Sequence, residues 1–178
     1  MVDVERALQG AERSGAIIRH RVPLEQGEFD ERRLWLRPEV DGLIRSDRLD
    51  ARQREVVRAA LRRFVVGGNF TVVTAECKHR EVVAIGDFRE LKGGPPPFIE
   101  LRFRPPPHDL RLFGRFIGRD SLILTTPGTK SLSGDTGRKR LDVQSERKRC
   151  DDAFKSMNLK PEWAPPTIQQ SITKASFL

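Results

Sequence analysis

The chain has 178 residues, and its 33 Lys and Arg outnumber 25 Asp and Glu for a formal charge of +8 at pH 7. With 33% charged residues and a mean hydropathy of −0.52, the composition excludes a protein built from membrane-spanning helices. No apolar run approaches the roughly 20 residues that such a helix needs.

The acids of the opening stretch, Asp3 and Glu5, stand where a secretory peptide would carry a basic patch. A cytoplasmic location, with no membrane partner, is therefore expected. Cys77 and Cys150 are too far apart for a zinc-type pair and too few for a disulfide framework, while His20, His79 and His108 show no ligand spacing. No metal and no cofactor are expected. The basic surplus is uneven: through Phe70 the chain carries 14 basic and 12 acidic residues, against 19 and 13 afterwards. An anion-facing surface is expected in the later part, with RNA as its partner.

In chain order, residues 4–13 predict a short helix, stopped by Ser14-Gly15, and residues 16–22 a strand ended by Pro23. Leu34-Trp35-Leu36 is an apolar patch in which Trp35 reads as a core anchor. Pro38 opens a brief helix through Ile44. The clearest helix runs over residues 50–66. Asp50 and Gln53 form a box-like cap, Val56, Val57, Ala60, Leu61 and Phe64 recur at helical spacing, and Gly67-Gly68 ends it. Its basic residues, Arg52, Arg54, Arg58, Arg62 and Arg63, read as a solvated face.

From Phe70 the pattern turns to short extended segments, at 71–74, 81–85, 98–104, 111–117 and 121–125. In 98–104, Ile99, Leu101 and Phe103 alternate with Glu100, Arg102 and Arg104. Short links make these strands an antiparallel meander. Residues 138–154 predict a basic helix, and Pro161, Pro165 and Pro166 an extended tail. The fold class is α+β, a small antiparallel sheet packed on helices. Its organisation is an N-terminal extension (1–48), a main domain (49–158) and a tail (159–178).

No phosphate-cradling Gly-x-x-x-x-Gly-Lys, no Gly-x-Ser-x-Gly elbow and no His-Glu-x-x-His occurs. What remains is cationic. Arg102 and Arg104 lie two residues apart, so an extended strand sets their side chains on one side about 7 Å apart, near the spacing of consecutive phosphates. Arg111 and Arg115 sit on the next strand, and Lys92 precedes the meander. Such a set serves a phosphodiester, or it serves cross-strand pairs with Glu100 and its neighbours. Pattern alone leaves both open. His108, in a Pro-Pro-Pro-His-Asp loop, is a candidate for proton transfer.

The run Phe88-Arg89-Glu90-Leu91-Lys92-Gly93, followed by Phe98-Ile99-Glu100-Leu101-Arg102, Leu110-Arg111-Leu112-Phe113 and Leu122-Ile123-Leu124 with Lys130 beyond, resembles the RelE/ParE toxin superfamily in its HigB-like, phage-type branch. The likeness covers roughly residues 50–154. It implies binding to RNA or the translating ribosome, with metal-independent cleavage of messenger RNA and an antitoxin as a further partner. It also implies that Arg102 holds the family's basic strand position and Arg111 its phosphate-binding arginine, with Arg104 and Lys130 beside them. This chain departs from the family in having no tyrosine and in reducing the usual paired lysines to Lys130-Ser131. The alternative is a non-catalytic regulator of toxin-like fold that inhibits a host machine, such as the translation apparatus, a polymerase or a DNA topoisomerase.

Overall fold

In a computed structural model, residues 2–77, 88–91, 96–103, 110–129 and 143–178 are described. The expected strand at 81–85 lies outside them. Helix α1 spans Val2–Arg13, β1 Ile18–Arg19, β2 Arg33–Leu36, α2 Pro38–Arg45 and α3 Ala51–Val65. Strands β3 (Phe70–Val73), β4 (Phe88–Leu91), β5 (Phe98–Arg102), β6 (Leu110–Gly118) and β7 (Ser121–Thr129) follow. The chain then runs through α4 (Val143–Ser156), a 3-10 turn at Pro161–Trp163, α5 (Ile168–Ser171) and β8 (Ala175–Phe177).

The capping signal works as read. Asp50 Oδ1 accepts from the Gln53 amide at 2.7 Å while Gln53 Oε1 accepts from the Asp50 amide at 2.9 Å, so two otherwise unsatisfied donors of α3 are paired. Just past its end Gly67 takes φ +75°, which glycine adopts without strain.

Eight strands form one sheet in the order β1-β2-β7-β6-β5-β4-β3-β8. At its centre β5 to β7 run as the expected antiparallel meander, and β4, at residues not read as a strand from the sequence, extends it on one side. The sheet as a whole is neither small nor purely antiparallel, since β2 joins β7, β3 joins β4 and β8 joins β3 in parallel. A four-stranded meander would leave two rows of backbone N–H and C=O groups unpaired at its edges. Strand β2, from the first 48 residues, pairs the β7 edge and β3 pairs the β4 edge, while β8, from the last 20 residues, pairs β3 in turn. The C-terminal segment, expected to be extended, folds back through α5 to place β8 on β3, and Ile168 and Ile172 are buried as it does so.

Side chains alternate across this sheet into two cores. Leu34, Leu36, Ile99, Leu101, Leu112, Phe116, Leu122 and Leu124 meet α2 and α3. Trp35, Phe98, Phe113, Ile117 and Ile123 meet α1 and α4. Helices thus cover both faces, which is why β7 reads Leu-Ile-Leu instead of alternating with polar residues. Phe64, Phe70, Phe88 and Phe116 cluster in the first core, with ring centroids 4.9 to 6.4 Å apart. In the second, Trp35 is 3% exposed, as a core anchor requires, and its indole N–H donates to Glu12. No helix among the described residues is long and apolar enough to cross a membrane.

Candidate anion-binding face

Glu100 occupies the middle of β5, opposite Arg89 on β4 and Phe113 on β6, and Arg102 lies opposite Arg111. Alternation along the strands turns Glu100, Arg102, Arg111 and Arg115 toward the layer of α4, on the same face as Phe98, Phe113 and Ile117. Two arginines directly opposed across a ladder repel each other. Glu100 relieves this by giving one oxygen to each. Arg102 Nε and Nη2 donate to its Oε2 at 3.0 and 2.9 Å, and Arg111 Nη1 donates to its Oε1.

This unit is withdrawn from water. Glu100 keeps 1% of its side-chain exposure, Arg102 7% and Arg111 17%. Of the two roles the sequence leaves open for these arginines, the cross-strand pairing with Glu100 is formed, and because the sheet is covered on both sides these polar residues sit inside the second layer. Burial lowers the pKa of Arg102 from its ordinary value. Glu100 opposes that shift, while the neighbouring charges of Arg89 and Arg111 add to it. Arg102 thus feels the charges of both neighbouring arginines while it shares the Glu100 carboxylate with Arg111.

Arg115 continues the same face but takes a different partner, pairing through Nη1 with Asp151 of α4, and lies 5.9 Å from the centroid of the Phe154 ring. Its side chain is 4% exposed, and its Nε has no acceptor among the described residues. Beside it a cavity of about 270 Å³ opens between β6, α4 and the 3-10 turn, with Arg147, Lys155 and Lys160 on its lining. Across the molecule a groove of about 790 Å³ separates residues 20–23 from α3, lined by Arg21, Arg54, Arg58 and Arg62 with Glu55. Arg62 already meets Glu25 and Glu28 there, and Arg54 the carbonyls of Ser46 and Leu49, so this face of α3 is largely committed to ordinary pairing.

Of the residues singled out in the sequence, Arg102 and Arg111 come together, and Arg115 shares their face. Lys92, Arg104, His108 and Lys130 lie outside the described residues. Sequence reasoning missed Asp151, Lys155 and Lys160 as neighbours of Arg115. Asp151 is 36 positions away from it, and no periodicity within either element links them. Among the described residues no three of His, Cys, Asp and Glu gather as a metal-holding group.

Comparison of the chain with protein-family models, with curated proteins and with solved structures finds no match. The likeness to RelE/ParE toxins rests on the quoted motifs alone.

Proposed function

We propose that this protein binds RNA, in the manner of a RelE/ParE-like toxin acting on messenger RNA or the ribosome, through the part-exposed Arg111 and its more buried neighbour Arg102, where they reach solvent at the margin of the covered sheet face. One observation carries the reading. Arg89, Arg102, Arg111 and Arg115 stand on three adjacent strands of one face, where Glu100 bridges Arg102 and Arg111 and Asp151 pairs with Arg115. Guanidiniums fixed by a buried carboxylate lose little further entropy on meeting a phosphate, and their planar forks match its oxygens.

Cleavage is the stronger form of this reading. The RNA's own 2′-oxygen would bond to phosphorus as the 5′-oxygen leaves with a proton, while Arg102 and Arg111 offset the charge gathering on the phosphoryl oxygens. The alternative of a non-catalytic regulator that blocks a host protein machine is favoured by one feature: both oxygens of Glu100 are taken by these arginines, so their charge is partly spent inside the fold.

Purified protein incubated with ribosomes and messenger RNA in the presence of a chelator tests the reading. Ribosome or RNA association that weakens with salt supports it, and cut RNA supports its stronger form. Absence of both association and cleavage removes it. Stoichiometric retention of a host protein, insensitive to nuclease, replaces it with the regulator.

A further inference from the structure

We infer that the cavity between β6, α4 and the turn after α4 is a binding site for a phosphate monoester carried on a compact apolar body, such as one nucleotide. That the nucleotide is the end of an RNA chain rests on the function proposed above. The pocket itself does not.

Charge selects the class of ligand. Arg115, Arg147, Lys155 and Lys160 line the cavity, and among the described lining residues Asp151 is the one acid. A carboxylate or an internal phosphodiester brings a single negative charge. A phosphate monoester carries about −1.5 to −2 at neutral pH and three acceptor oxygens. The cations also differ in kind. Arg115 is fixed, since it is 4% exposed and held through Nη1 by Asp151, whereas its Nε–H lacks an acceptor among the described residues. Arg115 shares this state with other buried arginine nitrogens, and beside the cavity its donor can be met by a ligand oxygen. Lys155 and Lys160 are exposed and free to close on a ligand from the rim, with Lys160 poised 5.7 Å from the Trp163 ring centroid.

The rest of the lining argues against bare phosphate. Above the buried Ile117, Phe154 and Leu159, the exposed Pro161 and the partly exposed Pro96 and Ala164 give the cavity an apolar side that an inorganic ion would leave facing water, whereas a base or sugar covers it. At about 270 Å³ the space is just below the usual range of ligand pockets, which leaves room for one nucleotide at most and not a stacked pair. A terminal phosphate of RNA and a free mononucleotide present the same chemistry here.

The test titrates the full chain with adenosine 5′-monophosphate, adenosine and inorganic phosphate by calorimetry. It compares wild type with a Lys155→Gln, Lys160→Gln double variant. Saturable one-to-one binding of the monophosphate is expected, with adenosine and phosphate each at least about tenfold weaker, because each lacks half of the complement. The double variant should lose about tenfold to a hundredfold in affinity at an unchanged Tm, since both ammonium groups are at the surface. Equal binding of adenosine and its monophosphate, equal binding by the two proteins, or no binding at millimolar nucleotide overturns the site.

A second arm uses one RNA sequence with a 5′-phosphate or a 5′-hydroxyl. A preference for the phosphorylated end that the double variant loses identifies the chain end as the ligand. Equal RNA binding beside tight monophosphate binding identifies the free nucleotide. Monophosphate binding without RNA binding ends the RNA reading and leaves the pocket; RNA binding without monophosphate binding does the reverse.

Discussion

Replacing Glu100 by Gln separates the structural role of the Arg102–Arg111 unit from its proposed binding role, because the two respond in opposite directions. The amide preserves the shape of a side chain that is 1% exposed but removes the charge that accepts from Arg102 at 3.0 and 2.9 Å and from Arg111. Breaking a buried ion pair by neutralising one partner costs about 3–5 kcal/mol. For a chain of this length each kcal/mol lowers Tm by about 2–4 °C, so a fall of roughly 6–20 °C is expected. That cost lies within the roughly 5–15 kcal/mol by which folded domains are stable, so the variant should still fold in the cold. Meanwhile the face loses its central negative charge. RNA binding measured at about 10 °C should tighten, and the plot of log K against log salt should steepen by up to about 0.7 for a single strand. A lower Tm with wild-type affinity and slope would refute the placement of RNA on this face. An unchanged Tm would refute the buried-pair argument itself.

Three further outcomes follow from the fold and its titrating groups. Arg32, 1% exposed, pairs with Asp120 at 3.2 Å and donates to the carbonyls of Phe64, Gly68 and Thr173, so it ties the N-terminal segment to α3, the β6–β7 turn and the C-terminal segment. Arg32→Met should cost about 3–5 kcal/mol by denaturant unfolding, with Arg32→Lys recovering only part because an ammonium lacks the planar fork; a loss below about 1 kcal/mol would contradict this. Burial lowers the pKa of His20 below its ordinary 6.5, with Asp41 opposing and Arg45 adding to the shift. The unfolded chain then binds more protons than the native one below that value, so stability should fall as pH drops from about 6.5 through the folded pKa. Melting at pH 7.5 and 5.5 should differ less in His20→Asn than in wild type. Burial pushes the Cys150 thiol up to about 11, so iodoacetamide at pH 8 should alkylate the partly exposed Cys77 in the native protein and reach Cys150 only after unfolding, as peptide mass mapping would read.

Local chemistry was legible wherever neighbours in the chain are also neighbours in space. The Asp50–Gln53 capping box, the positive φ at Gly67, the helix opened by Pro38 and the β5–β7 meander depend on residues a few positions apart or on strands joined by short links. Excess basic charge was equally plain, since it needs only counting. Trp35 as a core anchor followed from its apolar neighbours. The strand expected at 16–22 is shorter, Ile18–Arg19, because only those residues meet Leu36 and Trp35 across the ladder.

Tertiary structure decided what the charges do. The alternation of Glu100 and Arg102 with apolar residues is the same whether a sheet has one face in water or both faces covered. Only the placement of α1 and α4 over the second face makes Glu100 a buried bridge to Arg102 and Arg111. The parallel strand β2 reaches the β7 edge of the meander, and β8 reaches β3, from distant parts of the chain, and the need to pair sheet edges is not written into any one segment. Arg115 meets Asp151, and the cavity beside them forms, because β6 and α4 pack face to face; separation in sequence hides such a contact, and packing of apolar side chains between the two elements creates it.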